Sequence, residues 1–275
     1  MSVSVAEAAA RPARPAGRYI VPALAQGLAA LGLFGADRPL LSAPEIAQAL
    51  GLPRSTVFRL LQTLESLGFL RREDERHYRL GPALLNRGFA YLASLDLVQV
   101  AQPHLVALRD RTGLATQLAV LDGTEILYVA RVAAHGPIAS TVGVGTRLPA
   151  HATAMGRVLL MQEGEAALRA RFGTTPLARH TAITPTSLPA LAALLAADRA
   201  RGHVLSASHF EPGIDSLAVP VRGPQGRVEA ALSVVGHGWD FGNAGWLDNV
   251  LVAAQETAER ISQWRGATPR REDMA

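Results

Sequence analysis

Residues 42–68 carry the pattern that most restricts how this chain can fold. Ser42 and Glu45 have the spacing of a capping box, which predicts the start of a short helix. Gly51 predicts a sharp turn, and Pro53 suits the first turn of a second helix, where its missing N–H would be unpaired in any case. The second helix has apolar residues at helical spacing: Val57, Leu60, Leu61, Leu64 and Leu67. We therefore predict two short helices joined by a tight turn.

A hairpin is predicted after the second helix. Gly68 ends that helix, and the charged run 71–77 separates two apolar segments, residues 69–70 and 78–80. Helix, turn, helix and hairpin in this order form a winged helix-turn-helix, which binds DNA. We assign residues 19–81 to such a domain.

The two ends of the chain differ from the rest. Residues 1–18 consist mainly of Ala, Pro, Arg and Ser, which predicts a disordered tail, and we expect a second tail at 267–275. The apolar stretch 19–34 superficially resembles a secretory signal, but it is interrupted by Pro and Gly and is too short to span a bilayer. We predict a core helix there, with its larger apolar residues on the buried side: Ile20, Leu24, Leu28 and Leu31.

Composition limits the class of protein. The chain has 275 residues, of which 49% are apolar, enough for two compact domains. The absence of Cys excludes disulfides, thiolate metal sites and a cysteine nucleophile, and it suits a cytoplasmic protein. All 27 basic residues are Arg; the first 100 positions hold 11 Arg and 8 acidic residues, against 16 and 15 in the remainder. This excess favours an anionic partner for the N-terminal part.

The pattern after residue 81 predicts a linker helix and a second domain. Residues 82–97 have helical periodicity, and residues 98–266 begin with another helix before the period changes to two. Asp122-Gly123 is a strong hairpin signal between two strands, and residues 138–143 could form a third strand. The mixture of helices and strands predicts an α+β fold with a mainly antiparallel sheet.

The outward face of the second helix and the hairpin supply candidate DNA contacts. On the helix these are Arg54, Ser55, Thr56, Phe58, Arg59 and Gln62. Arg can read guanine through two hydrogen bonds, and an exposed Phe could meet a thymine methyl group. On the hairpin, four residues could hold the DNA backbone: Arg71, Arg72, Arg76 and Arg79. A solvated helix face has the same composition, so the inference depends on the order of the elements.

Residues 148–157 suggest a ligand site. Small residues lead from an extended segment into a helix, so a ligand could approach the backbone, and a helix N-terminus favours an anion. An ordinary closely packed junction between a strand and a helix would have the same composition. The residues alone leave both interpretations open.

Seven segments together resemble the IclR family of bacterial transcription regulators. They are Ser42–Leu64, Gly68–Leu70, Tyr78–Gly81, Leu121–Gly123, Tyr128–Arg131, Gly145–Arg157 and Phe210–Gly213. The resemblance covers about residues 19–264. It implies a winged helix-turn-helix joined by a linker helix to a GAF-like effector domain. It also implies a homodimer formed through the DNA-binding end, or a homotetramer. The two recognition helices of a dimer would enter successive major grooves of double-stranded DNA, which predicts an inverted-repeat operator.

The resemblance also implies an effector site for a small carboxylate. The ligand carboxylate would meet the backbone N–H groups of Ala154 and Met155. Three polar positions of the family correspond to Ser206, Ser233 and Val235, and Ser216 stands where a Cys is common. The chain departs from the usual residues at Ser206 and Val235, which makes the predicted pocket less charged.

Three further segments resemble the subgroup that controls aromatic-acid catabolism: Tyr91–Ser94, Val100–Leu105 and Gly143–Ala150. They imply an aromatic or hydroaromatic carboxylate as the effector. Arg147, His151 and His209 are candidate polar partners for it.

Two other functions are alternatives: an enzyme acting on a small organic acid, and an architectural DNA-binding protein without a ligand. The chain has no HExxH, P-loop or GxSxG motif, and His203, His209 and Glu211 make only a weak candidate metal cluster. We therefore expect no catalytic residue, no cofactor, no metal and no membrane partner. An architectural protein would leave the roughly 150 residues after Gly113 unexplained.

Overall fold

The computed structural model describes residues 19–134, 142–238 and 244–264. The chain divides into two compact units between Ser94 and Leu95. The expected tails at 1–18 and 267–275 lie outside the described residues, as does most of the strand expected at 138–143.

The first unit has the predicted helices and hairpin. Its elements are α1 (Pro22–Leu31), β1 (Leu41–Ser42), α2 (Ala43–Leu50), α3 (Arg54–Ser66), β2 (Leu70–Arg72), β3 (His77–Leu80) and α4 (Ala83–Ala93). The three strands form an antiparallel sheet in the order β1-β3-β2. The short strand β1 was not predicted; it pairs Leu41 with Tyr78 and so joins the hairpin to the start of α2.

The local signals around α2 and α3 act as the sequence predicted. The Ser42 N–H donates to Glu45 Oε2 at 2.8 Å, which closes the capping box. Gly51 has φ +63°, a conformation that side chains disfavour, so glycine permits the turn between the helices. Ile46 and Leu61 are fully buried in the core that these helices share.

The prediction for the buried side of α1 was wrong. The helix forms, but Leu24 and Leu28 are 63% and 60% exposed, whereas Gly27 and Ala30 are buried. A Cβ on Gly27 would lie 4.0 Å from Leu60 Cδ2, so α1 approaches α3 through its small residues. The large residues are left outside because the small residues of α1 face α3 and the Leu60 side chain fills the space beside them.

Two further residues of the predicted apolar stripes are exposed. Ile20 precedes α1 and is 41% exposed, and Leu67 follows the last turn of α3 and is 60% exposed. Both residues continue the helical period of the sequence, but they lie beyond the ends of the helices that the core covers. Periodicity alone does not report where a helix stops.

The second unit is a six-stranded antiparallel sheet with helices. Its elements are α5 (Asp96–Thr112), β4 (Ala115–Asp122), β5 (Glu125–Val132), β6 (Arg147–Pro149), α6 (Ala154–Leu160), α7 (Glu165–Phe172), α8 (Leu188–Arg201), β7 (Val204–Ala207), β8 (Ile214–Arg222), β9 (Val228–His237) and α9 (Ala244–Trp264). The strand order is β6-β5-β4-β9-β8-β7. The α+β class and the antiparallel sheet are as predicted.

Both faces of this sheet are covered. Ala119 of β4 and Ala231 of β9 pack with α6 in one core. Thr116 lies three positions before Ala119 in β4, and its Oγ1 donates to the Leu105 carbonyl of α5 at 2.9 Å. Successive strand residues point to opposite faces, so α5 and α6 lie on opposite sides of the sheet. Of the described helices, none is long and apolar enough to cross a membrane.

The junction between β6 and α6 is closely packed. A Cβ built on Gly156 would lie 2.1 Å from the carbonyl oxygen of Ala150. Thr153 Oγ1 accepts the Gly156 N–H at 3.1 Å and so caps the helix, and every residue of α6 is buried. Only a residue without a side chain fits at position 156.

A buried ion pair ties α6 to its neighbours. Arg157 Nε lies 2.8 Å from Asp198 Oδ2 of α8, and both side chains are almost fully buried. Arg157 Nη2 also donates to the Leu205 carbonyl of β7 at 3.2 Å. One guanidinium group therefore joins α6 to both α8 and β7.

We expect Gly156→Ala to lower the free energy of unfolding, because the new methyl group would meet backbone atoms. Overpacking usually costs about 1–3 kcal/mol, and we expect a loss of that size or larger. Urea denaturation of the full chain measures this. Gly245→Ala is the matched control: Gly245 is an exposed residue of α9 with nothing within 4 Å of its Cβ position, and alanine there should leave stability unchanged or raise it by up to about 1 kcal/mol. Equal stability of the two variants would contradict the packing argument.

Candidate functional site

The outward face of α3 presents the residues predicted to contact DNA. Five are exposed and one, Thr56, is half-buried; the exposed ones are Arg54, Ser55, Phe58, Arg59 and Gln62. Among the described residues, no carboxylate forms an ion pair with Arg54 or Arg59. The guanidinium groups of these two residues are available to an external partner.

Arg72 of the hairpin is held by the protein itself. Its Nη2 donates to the Tyr78 hydroxyl at 2.7 Å and lies 3.6 Å from Glu65 Oε2 of α3. Its guanidinium carbon also lies 5.0 Å from the centroid of the Tyr78 ring. These contacts join the hairpin to α3, so Arg72 has a structural role that the sequence did not reveal.

The other three hairpin arginines differ in whether a carboxylate is paired with them. Arg79 Nη1 lies 3.1 Å from Glu73 Oε2, which partly neutralises its charge. Arg71 and Arg76 are exposed, and neither has a carboxylate partner within the described ranges. Arg71 also lines a groove with Gly81, beside the base of the hairpin.

A cavity of about 120 Å³ lies beside the first turn of α6, and we call it the α6 cavity. Its lining includes six residues that the sequence predicted: Ala154, Met155, Ser206, Ser216, Ser233 and Val235. Nine others also line it: Gln117, Tyr128, Val142, Leu148, Ala152, Thr153, Phe210, Glu211 and Ile214. An apolar cavity of about 150 Å³ binds benzene, so the α6 cavity is of the same order of size as one aromatic ring.

Strand register explains why distant residues meet at this cavity. Ser216 of β8 pairs with Ser206 on one side and with Val235 on the other. Gln117 of β4 pairs with Ser233 of β9 in the next row. These residues therefore form two adjacent rows on the sheet, an arrangement that a single sequence does not specify.

The α6 cavity is lined by the first turn of α6 and by polar side chains of the sheet. The amides of Ala154 and Met155 are in the first turn of α6, where an N–H has no acceptor within the helix, whereas that of Gly156 is bonded to Thr153. Ser233 is 1% exposed, and its hydroxyl has no hydrogen-bond partner among the described residues. A buried unpaired hydroxyl is costly, so a ligand that bonds to it gains affinity.

Tyr128 and Gln117 are further polar residues of this lining. Burial raises the pKa of Tyr128, so its hydroxyl stays protonated at neutral pH and can donate a hydrogen bond. Gln117 is 2% exposed, in a strand that is otherwise largely apolar. A glutamine within such a strand is the signal in the sequence that could have identified this position.

The loop that carries Phe210 and Glu211 is held in place by hydrogen bonds. The His209 carbonyl accepts from Thr184 Oγ1 at 2.7 Å and from Thr181 Oγ1 at 3.1 Å. Ser208, which has φ +57°, accepts the Gly213 N–H on its Oγ at 2.9 Å. These bonds place Phe210 and Glu211 at the cavity, and the sequence had not predicted that either residue lines it.

Arg147, His151 and His209 do not line the α6 cavity. Arg147 is exposed and forms ion pairs with Asp122, at 2.5 Å, and with Glu125, at 2.9 Å. These pairs hold β6 to the β4–β5 hairpin.

His151 belongs to a cluster of ring side chains that reaches Phe210 of the cavity lining, and His209 precedes Phe210 in the chain. His151 Nε2 lies 2.9 Å from the Ala178 carbonyl oxygen, and its ring centroid is 5.9 Å from that of His180, which lies 4.8 Å from Phe210. Burial lowers the pKa of His151, His180 and His209, and for His209 the charge of Arg157 lowers it further. These histidines are therefore neutral at pH 7.

No metal site is found within the described ranges, because no group of three or more His, Asp or Glu side chains could hold a metal ion. The candidate metal cluster of His203, His209 and Glu211 is therefore not formed there.

Two family descriptions match the chain. Residues 23–74 match the IclR helix-turn-helix domain, and residues 89–263 match the bacterial transcriptional regulator IclR C-terminal domain. The chain belongs to the IclR family. It is a DNA-binding transcription regulator and not an enzyme, as the sequence predicted.

Relatives of this IclR-family regulator cover most of its length. The HTH-type transcriptional regulator XynR of Escherichia coli K12 is 36% identical over 78% of this chain and 86% of its own. The Pca operon regulatory protein of Acinetobacter baylyi is 34% identical over 88% of both chains. The crystal structure of an IclR homolog from Microbacterium hydrocarbonoxydans, complexed with 4-hydroxybenzoate, is 30% identical, with a TM-score of 0.77 over 90% of this chain and all of that one.

We expect the stability of this regulator to fall when the pH is lowered from 7 to 5. The folded-state pKa values of His151, His180 and His209 lie below the unfolded value of about 6.5, so below pH 6.5 the unfolded chain binds more protons. Each histidine contributes a loss of up to about 1.4 kcal/mol per pH unit.

Urea denaturation at pH 7 and pH 5 tests this. His151→Gln should reduce the loss, because it removes one titrating group and retains an amide that can donate to the Ala178 carbonyl. His237→Gln, at an exposed position, is the matched control and should show the full loss. A pH dependence that is the same in both variants would contradict the assignment to His151.

Proposed function

We propose that this regulator binds an aromatic carboxylate in the α6 cavity and changes its DNA binding in response. The observation that carries the proposal is a cavity lined both by Ala154 and Met155, whose amides have no acceptor within α6, and by Ser233, whose hydroxyl has no partner among the described residues. The likeness to a Pca operon regulatory protein and to a homolog complexed with 4-hydroxybenzoate supports the same class of ligand. An architectural protein without a ligand would have no use for such a cavity.

The chemistry of the ligand follows from the groups that line the cavity. The carboxylate accepts hydrogen bonds from the amides of Ala154 and Met155, where the partial positive charge of the helix end adds attraction. The ring packs against Leu148 and Phe210. A ring hydroxyl bonds to Ser233, which removes the cost of leaving that buried group unpaired.

We expect benzoate and 4-hydroxybenzoate to raise the melting temperature of the full chain, whereas acetate does not. A ligand at one hundred times its Kd stabilises the folded state by about 2.7 kcal/mol. Ser233→Ala should weaken 4-hydroxybenzoate more than benzoate, because it removes the partner of the ring hydroxyl. Ser187→Ala, outside the cavity, is the control. If no aromatic acid shifts the melting temperature, or if the purified protein converts the acid, the proposal is wrong.

For DNA, we propose that α3 reads bases and that the hairpin holds phosphates. Arg54 and Arg59 are exposed and unpaired among the described residues, so they suit the base edges of the major groove. Arg71 suits a phosphate for the same reason, whereas Arg72 and Arg79 already have carboxylate partners. A dimer would place two α3 helices in successive major grooves of an inverted repeat, about one helical turn apart.

We expect Arg59→Ala to relax the preference among operator sequences, since one good contact between arginine and guanine supplies about 1–3 kcal/mol of discrimination. Arg71→Ala should instead weaken all duplexes similarly and reduce the salt dependence, because it removes one phosphate contact. Fluorescence anisotropy at several salt concentrations separates the two effects.

Arg227→Ala is the control for these variants, because Arg227 is an exposed arginine of the other unit. It should leave DNA affinity and preference unchanged. If Arg59→Ala binds every duplex as the unaltered protein does, α3 is not the reading element.

The oligomer we propose is a homodimer formed through the apolar faces of α1 and α4; pairing of dimers would give a homotetramer. Leu24 and Leu28 of α1, and Leu85 and Phe89 of α4, are 59–63% exposed, and α4 contributes no buried residue to its own unit. An apolar surface of this kind marks an interaction site. We also propose that the regulator is cytoplasmic, because the DNA that it binds is in the cytoplasm.

Light scattering of the full chain tests the dimer. We expect a dimer or a larger oligomer for the unaltered protein, and dissociation for Leu28→Glu, because a buried unpaired carboxylate is strongly unfavourable. Ile183→Glu, at a residue of the other unit that is 52% exposed, should not dissociate it. A monomeric unaltered protein would contradict the proposal.

A further inference from the structure

An apolar groove lies between the first turn of α2 and the outward face of α3. Its lining residues are Ala43, Pro44, Arg54, Ser55, Phe58 and Arg59. Phe58 is 54% exposed, and Pro44 is exposed beside it. Among the described residues of the first unit, eight apolar residues form the buried core and Phe58 is not one of them, so folding of this unit does not explain its aromatic ring.

Two arginines of α3, Arg54 and Arg59, place positive charge beside the groove. Arg54 lies four positions before Phe58, and Ser55 lies four positions before Arg59, so these pairs share one face of the helix. The groove therefore has an apolar floor and two guanidinium groups at its rim. Neither arginine is paired with a carboxylate among the described residues. Such a site fits a small apolar group carried by an anionic partner.

We propose that this groove binds the 5-methyl group of a thymine in the major groove of the operator. Among the base edges exposed there, the thymine methyl is the apolar group, and the bases and phosphates around it are acceptors for arginine. Pro44 and Ala43 of α2 complete the groove, so base reading involves the helix before α3 as well as α3 itself. The inference rests on the proposed DNA-binding function and adds the chemical group that is read.

The test removes single methyl groups from DNA. The full-length protein first selects duplexes from a random library, and the enriched sequence is then synthesised with each thymine replaced in turn by deoxyuridine. Deoxyuridine pairs as thymine does and lacks only the methyl group. At one thymine in each half-site, we expect the replacement to weaken binding about fourfold, the factor that corresponds to burying one methyl-sized group.

Variants of the protein assign this loss to the groove. With Phe58→Ala, thymine and deoxyuridine duplexes should bind equally, and with Phe58→Leu part of the difference should remain. Leu67→Ala is the matched control: Leu67 is an exposed apolar residue just after the C-terminus of α3 and lies outside the groove, so the full difference should persist. Because Phe58 is more than half exposed, these variants should fold, which their melting temperatures verify.

The outcomes separate this inference from the proposed function. A deoxyuridine effect of the same size in Phe58→Ala and in the unaltered protein would overturn it, as would enriched duplexes with no sensitive thymine. In both cases DNA binding by α3 would stand. Failure to enrich any duplex would overturn the DNA-binding function and this inference together.

Discussion

The approach of Gly156 to the carbonyl oxygen of Ala150 is the contact on which the second unit depends. It allows β6 to turn directly into α6, and Thr153 then caps a helix whose first amides open onto the α6 cavity. One residue further on, Arg157 reaches Asp198 and joins α6 to α8. A larger residue at position 156 would move the helix end, the cavity and the ion pair together, because protein interiors are closely packed.

In the first unit, a close contact at a glycine likewise fixes the hairpin. A Cβ on Gly81 would lie 2.2 Å from the Gly68 carbonyl oxygen, and the Gly81 N–H donates to the Phe69 carbonyl at 2.8 Å. The hairpin is thus fixed against the end of α3, and Arg72 adds its contact with Glu65. Since these contacts hold the hairpin against α3, a duplex would meet their positive charges in a fixed arrangement.

The arginines show why composition was a weak guide to the sites. Arg147 and Arg157 have similar sequence surroundings, yet one holds a surface hairpin and the other is buried against Asp198. Arg54 and Arg59 remain available because no carboxylate of the described residues approaches them. Partners far apart in sequence decide these roles, and Asp198 is 41 positions from Arg157.

The sequence alone predicted the helices, the turn at Gly51 and the hairpins, because capping, glycine turns and apolar period are local properties; it missed the short strands β1 and β6. It also identified six of the residues that line the α6 cavity, through a family resemblance and not from spacing. Tertiary structure decided the exposed side of α1, the strand register that joins Gln117 to Ser233, and the loop that brings in Phe210. These features depend on which surfaces come into contact, and a local pattern does not contain that information.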